Sequence, residues 1–170
     1  TNPNNEEYSR YVLSEEFNDK FHILEYENFS NDEMKNILFN KCKKDNVKND
    51  IQKLVDTHKK YTGKDGPKCK NMYTLRDFDK ASILINKGYD VEKIIDILYR
   101  TRAGEPLLTY KKDTNPFTNI YGFIPTENRL IYGQLCLDCL HSGFNIIIES
   151  EYSSGTKYFA EVLAKQYNPR

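Results

Sequence analysis

The predicted fold depends on residues 144–157, which read Phe144-Asn-Ile-Ile-Ile-Glu-Ser-Glu-Tyr-Ser-Ser-Gly-Thr-Lys157. Their first part, residues 144–148, is a short β-branched run that predicts a buried strand. A helix is predicted after the loop, from about Thr156 to Gln166. A strand, a loop of small residues and a helix in this order are the context that a phosphate-binding loop requires, because the loop amides and the helix N-terminus both attract phosphate.

The loop departs from the usual G-x-x-x-x-G-K-[ST] pattern. Gly155 is kept, but Ser150 replaces the first Gly. Thr156 stands at the Lys position and is too short to reach the β- and γ-phosphates. Lys157 stands at the Ser/Thr position and would repel Mg²⁺, while Glu151 opposes any anion. An inactive remnant or an ordinary strand-to-helix turn therefore stays open beside a cofactor-binding site made of Ser154, Gly155, Thr156 and Lys157.

Residues 30–102 are predicted to form about four helices with short connections. Ser30-Asn-Asp-Glu33 fits a capping box, in which the Ser hydroxyl accepts from a helical N–H group and the Glu side chain reaches back. A second helix is predicted from about Asp50 to Tyr61. Thr74-Leu-Arg-Asp77 begins a third helix that ends at Gly88, and Asp90 is suited to cap the fourth. Together these patterns predict a small helical bundle.

The rest of the chain adds one more helix, one more strand and a linker. A helix is predicted from Thr126 through Leu140, and Phe21-His-Ile-Leu-Glu-Tyr26 is predicted to be a short strand. Residues 104–122 contain Pro106 and Pro116 and few periodic apolar positions. This segment is the predicted linker and the best candidate for a domain boundary.

Charge and composition exclude several classes of protein. The 25 basic and 25 acidic residues balance, so nothing global favours nucleic acid or an anionic membrane as a partner. The longest apolar runs are far shorter than the roughly 20 residues that span a bilayer. The N-terminus is polar, which argues against a signal peptide, and lacks an initiator Met. We therefore expect a processed chain or a fragment of a longer one.

The cysteines are predicted to be structural thiols of an intracellular protein. Cys136-Leu-Asp-Cys139 has the spacing of half a zinc site, and His141 is near. The second pair of ligands that would make the motif specific is absent. The favoured interpretation places both thiols one turn apart on a buried helix face, and no metal site is predicted.

Several stretches resemble parts of the midasin family. Members of this family are dynein-related AAA+ ATPases with several modules in one chain. Thr1-Asn-Pro3 is similar to the end of the family's sensor-1 strand, and Tyr8-Ser-Arg-Tyr-Val-Leu-Ser14 is similar to the stretch that follows it. Tyr73-Thr-Leu-Arg-Asp-Phe78 resembles the lid helix that carries the sensor-2 arginine. Ile146-Ile-Ile-Glu149 and Ala160-Glu-Val-Leu-Ala-Lys165 resemble the strand and helix around a midasin phosphate loop. The order and approximate spacing of these pieces agree over almost all 170 residues.

The resemblance implies an α/β fold of the AAA+ P-loop type, cut across a junction between two modules. Residues 1–28 would be the C-terminal end of one large domain, and residues 29–103 its helical lid. Residues 104–122 would be the linker. Residues 123–170 would begin the next large domain, with a degenerate P-loop. We therefore expect a segment of a much longer chain.

The resemblance also implies roles for three residues. Asn2 matches the sensor-1 asparagine near the γ-phosphate, although next to Pro3 it is equally suited to a turn. Lys20 stands at the arginine-finger position, where it keeps the charge but lacks the fork geometry of Arg. Alternatively, Lys20 is a solvent-exposed surface residue without this role. Arg76 matches the sensor-2 arginine. A cation in the first turn of a helix opposes the dipole, which favours a carboxylate or phosphate partner for Arg76.

By resemblance, the parent protein would be a nuclear chaperone-like ATPase that uses ATP and Mg²⁺ to remodel pre-60S ribosomal particles. Its partners would be the adjacent AAA+ modules of the same chain, the particle and its assembly factors. Hydrolysis by this segment alone is not expected, because the acidic Walker B pair is missing. Two alternatives stay open: another fused AAA+ protein, such as a dynein-like motor, and a non-enzymatic helical interaction module.

Overall fold

The computed structural model describes residues 29–43, 47–63, 73–117, 120 and 122–168. The chain divides into two units, Thr1–Ser30 and Asn31–Arg170, and all the described helices lie in the second. Its helices are α1 (Asn31–Lys41), α2 (Lys48–Thr62), α3 (Arg76–Asn86), α4 (Val91–Ile95), a π-helical turn (Asp96–Arg100), α5 (Thr101–Ala103), α6 (Glu127–His141) and α7 (Thr156–Tyr167). None of the described helices has the length and apolarity that a membrane crossing needs.

The first helices begin close to where their capping patterns predict. The Thr74 backbone N–H donates to Asp77 Oδ2 (2.9 Å), and the Arg76 N–H donates to Thr74 Oγ1 (3.3 Å). Both groups are donors that a helix N-terminus would otherwise leave without a partner. Asp90 caps α4 through a bond from the Glu92 N–H to its Oδ2 (3.0 Å). Local side-chain chemistry therefore determines these helix starts.

The first core lies between α1, α2, α3 and the continuous helix from α4 to α5. Each helix contributes apolar residues at helical spacing, and full burial of each large side chain stabilises the fold by about 1.5–3 kcal/mol. The fully buried members are Leu38, Leu54, Val55, Phe78, Ala81, Leu84, Ile94 and Tyr99. The sequence prediction of a small bundle over this region agrees with the observed helices.

Helix α6 contributes to two cores. Leu135 belongs to the first core, and Ile131 and Cys139 pack against that core. Leu130 and Leu137 belong to a second, smaller core. The second core is completed by Phe117, Cys136, Phe159, Val162 and Leu163. Because α6 buries apolar residues on more than one side, it links the α7 region to the first bundle.

The predicted α/β fold of the AAA+ P-loop type is wrong for the described residues, which are helical and contain no β-strand. Residues 144–148, the predicted strand, form neither a helix nor a strand. A β-branched run forms a strand only when a second strand supplies backbone partners, and the described chain offers none. The other predicted strand, residues 21–26, lies outside the described residues.

Candidate functional site

The candidate site is the loop of residues 149–156 that leads into α7. Ser153 (φ 65°) and Gly155 (φ 77°) both adopt the left-handed conformation, so the chain turns sharply twice. These turns bring three hydroxyl groups together. The Ser154 hydroxyl donates to Ser150 Oγ (2.7 Å) and lies 2.7 Å from Thr156 Oγ1. The hydroxyls of Ser150 and Thr156 also contact each other.

Arg129 of α6 brings a positive charge to this loop. Its Nη2 donates to the Ser154 carbonyl (3.4 Å), and its Nη1 donates to the Ile124 carbonyl (3.4 Å). A Cβ atom at position 155 would lie 2.9 Å from Arg129 Nη2. The positive φ favours glycine at position 155, whereas the guanidinium of Arg129, at the end of a flexible side chain, could move away from a Cβ atom.

The charges around the loop are mixed. Lys157 is exposed in the first turn of α7 and forms no ion pair with the described residues. Glu149 and Glu151 are also exposed. The two carboxylates offset the charges of Arg129 and Lys157, so the loop attracts an anion only weakly. The open N-terminus of α7 adds a favourable partial positive charge.

The four predicted cofactor-binding residues thus lie together, whereas the predicted catalytic residues do not join them. Asn2 and Lys20 lie outside the described residues. Arg76 is exposed at the start of α3, and no hydrogen bond or ion pair connects its side chain to any described residue. The carboxylate partner expected for Arg76 is absent from the described part of the chain.

The loop does not fit the usual magnesium site. The position whose hydroxyl binds the metal holds Lys157, and the Thr156 hydroxyl is already bonded within the loop. No group of three or more His, Cys, Asp or Glu side chains in the described residues is arranged to hold a metal ion. The arrangement offers hydroxyls, amides and two cations to a phosphate group without a metal.

Sequence reasoning missed a buried polar cluster around Asp77, the residue that follows Arg76. Asp77 is nearly fully buried, and its Oδ1 lies 2.8 Å from Arg102 Nη2. The Arg102 guanidinium carbon lies 4.5 Å from the centre of the Tyr73 ring, which is a cation–π contact. The Tyr73 hydroxyl donates to the Tyr99 carbonyl (2.9 Å). The only sequence signal was Asp77 in its capping pattern, and nothing local pointed to Arg102.

A second missed cluster surrounds Asp96, at the first residue of the π-helical turn. Its carboxylate accepts from the Thr109 N–H (2.7 Å), the Thr109 hydroxyl (2.6 Å) and the Leu108 N–H (3.0 Å). Arg100 Nη1 donates to the other oxygen (2.6 Å). Burial acts to raise the pKa of Asp96, but the bonds from Thr109 and Arg100 outweigh it, so its pKa is lowered. Asp96 thereby holds residues 108–109 against the bundle.

Asp138 connects α6 to the first bundle. Its Oδ2 accepts from the Tyr110 hydroxyl (2.9 Å) and lies 2.8 Å from Lys93 Nζ. Lys93 Nζ also lies 5.3 Å from the ring centres of both Tyr89 and Tyr110. Burial, followed by the charge of Asp138, raises the pKa of Tyr110. The cluster is a structural contact, since every charge in it has a partner.

The two cysteines of α6 lie one turn apart, but they pack against different cores and not on the single buried face that the sequence predicts. Cys136 is buried in the second core, and Cys139 packs against the first. Burial raises the pKa of Cys136 to about 11 and that of Cys139 to about 12. Both thiols are therefore protonated near neutral pH and are poor nucleophiles.

Comparison with protein-family models, curated proteins and solved structures finds no match to this chain.

Proposed function

We propose that this chain is a non-catalytic, helical segment of a midasin-like AAA+ ATPase, whose loop at residues 149–156, together with Lys157 of α7, holds a phosphate group weakly. The observation that carries the proposal is the loop itself. Three hydroxyls converge at the open N-terminus of α7, beside the guanidinium of Arg129. Backbone amides at a helix start, hydroxyl donors and a cation are the groups that recognise phosphate.

The proposal is limited to the lid-like helical bundle and the loop, and it includes no α/β domain. The parent would use ATP and Mg²⁺ elsewhere in a ring of modules and would act in the nucleus on pre-60S particles, as the resemblance implies. This segment would be a static element of that ring. Hydrolysis is not proposed for it, because Lys157 replaces the metal-binding hydroxyl and no Walker B pair is present in the sequence.

Titration by NMR tests the phosphate site directly. We expect the amide signals of Gly155, Thr156 and Lys157 to shift on addition of pyrophosphate or ATP, with a Kd of about 1 mM or weaker. Mg²⁺ should not tighten this binding. Arg129→Ala and Lys157→Ala should each weaken it severalfold, whereas Lys165→Ala, at the exposed end of the same helix, serves as the matched control and should not.

Restoring the usual residue order gives a second test of the same loop. The double variant Thr156→Lys, Lys157→Thr places a cation at the phosphate position and a hydroxyl at the metal position. We expect it to bind ATP more tightly than the natural sequence does and to gain a dependence on Mg²⁺. Arg76→Ala should leave binding at this loop unchanged, because a sensor-2 residue serves the preceding module.

The rival candidate is a helical interaction module that binds no nucleotide. It is favoured by the mutual hydrogen bonds of Ser150, Ser154 and Thr156, which satisfy these hydroxyls without a ligand. Absence of shifts at the loop up to about 10 mM ATP would reject the phosphate site and favour this module.

A further inference from the structure

Residues 144–149 have the side-chain alternation of a β-strand although no described strand pairs with them. Phe144, Ile146 and Ile148 are half-buried, whereas Asn145 and Ile147 are exposed. Phe144 packs against the first core, and Ile146 and Ile148 pack against the second. Ile147 points outward with 97% of its surface exposed. This period of two is that of an extended chain lying with one face on a core.

The backbone of this segment forms few hydrogen bonds with the described residues. The N–H of Phe144 donates to the Cys139 carbonyl (2.9 Å), and the next backbone bond along the chain is from Ser154 to Glu151 (3.3 Å). Between them, residues 145–149 form no hydrogen bond in the part of the chain that the structure describes. A row of N–H and C=O groups without backbone partners is a template for another strand.

The side chains of the segment complement themselves in one orientation. In an antiparallel pair centred on Ile147, Asn145 of each copy lies opposite Glu149 of the other. Ile146 lies opposite Ile148, and Ile147 lies opposite its own counterpart. Every apolar residue then faces an apolar residue, and each carboxylate faces an amide that donates hydrogen bonds. A parallel pairing in register would instead place Glu149 against Glu149, which is unfavourable.

We propose that residues 145–149 form an antiparallel two-stranded sheet with the same residues of a second copy of this chain. The proposal is independent of phosphate binding. The contact is short, so the dimer is weak, with a Kd of about 100 µM or higher. Two properties identify a second copy as the partner of this segment. Its backbone lacks a paired strand, and its sequence is complementary to itself in the antiparallel orientation.

Sedimentation equilibrium from about 10 µM to 1 mM, on the natural chain and on variants at exposed positions, tests the dimer over the range set by its weak affinity. We expect a concentration-dependent monomer–dimer equilibrium. Asn145→Lys should tighten the dimer severalfold, because each new ammonium faces Glu149 of the other copy. Asn145→Glu should weaken it by a similar factor, and adding Glu149→Lys to that variant should restore it. Ile147→Lys should abolish it by placing two charges opposite each other.

Two controls keep the test interpretable. Lys165→Glu, which changes charge on exposed α7 surface, should leave the equilibrium unchanged. Far-ultraviolet circular dichroism should show that every variant keeps its helical content, since all the substituted side chains are exposed. A monomer at every concentration would overturn the proposal. So would a weaker dimer in Asn145→Lys, because that result requires Asn145 to face another cation or a different surface.

Discussion

At the scale of single residues, buried carboxylates hold the parts of this protein together. Asp96 is fully buried and accepts hydrogen bonds from Arg100, Leu108 and Thr109. These donors come from the π-helical turn and from the segment that follows α5. A carboxylate is suited to this position because it accepts several bonds at once, and charge-assisted bonds are stronger than neutral ones.

Asp96→Asn is expected to lower the free energy of unfolding by about 2–4 kcal/mol. Asn keeps one acceptor oxygen, so its NH2 group must face either Arg100 or the backbone N–H groups of Leu108 and Thr109, where it accepts nothing. Arg100 also loses the charge of Asp96 and keeps Glu92 as its ionic partner among the described residues. Urea denaturation followed by circular dichroism measures the change. Asp79→Asn is the matched control, because Asp79 pairs with Lys41 on the surface. It should change stability by less than about 0.5 kcal/mol, and equal losses in the two variants would contradict this account of Asp96.

At the scale of elements, the packing of α6 against Phe117 depends on a glycine in the middle of the helix. A Cβ atom at Gly133 would lie 2.3 Å from Phe117 Cζ. The ring of Phe117 therefore packs directly on the helix backbone and fills the space that a side chain would occupy. Phe117 also contacts Phe123 and Phe159 (ring centres 4.6 and 6.0 Å away), so this one close approach supports the second core.

Gly133→Ala is expected to destabilise the protein although Ala favours helix by about 1 kcal/mol. The clash with Phe117 costs about 1–3 kcal/mol, because the ring must move within a packed core. Thermal unfolding gives the net change. In a Phe117→Leu background the same substitution should cost less, since the obstructing ring atoms are gone. An equal loss of stability in the two backgrounds would mean that the contact between Phe117 and Gly133 does not determine how α6 packs.

At the scale of the whole molecule, the first core contains a histidine that makes stability depend on pH. His58 is 6% exposed, and its Nδ1 lies 3.1 Å from the Tyr99 hydroxyl. Burial lowers its pKa from 6.5, Asp77 acts in the opposite direction, and Arg102 lowers it further. Because the folded pKa is below the unfolded one, the unfolded chain takes up the proton first as pH falls.

Stability is therefore expected to be complete above pH 6.5 and to decline as pH falls from 6.5 towards the folded pKa of His58. The slope in this window should reach at most about 1.4 kcal/mol per pH unit for one proton. His58→Gln should remove that slope while lowering stability overall. Urea midpoints measured between pH 7.5 and 5 for both proteins provide the comparison, and parallel pH profiles would contradict it. The contribution of Asp96, whose pKa is lowered, is lost only at more acidic pH.

Local patterns predicted the helices of this protein well. Thr74 and Asp77 identified the start of α3, Asp90 that of α4, and Gly155 the position where the loop turns into α7. Each of these signals acts over three or four residues, so it can be recognised in the sequence alone. The meeting of the Ser150, Ser154 and Thr156 hydroxyls was not predicted, because it depends on the left-handed conformation of Ser153 and Gly155.

Only the tertiary structure could show what residues 144–148 become. Their β-branched composition predicts a strand, but a strand exists only when a second one pairs with it, and pairing depends on residues distant in the chain. For the same reason the sequence could not predict three other contacts, which join residues distant in the chain. These are Arg102 with Asp77, Thr109 with Asp96, and Phe117 with Gly133. The helix starts follow from interactions between near neighbours. The buried ion pairs, the close packing on α6 and the failure of residues 144–148 to form a strand depend on which distant segments meet.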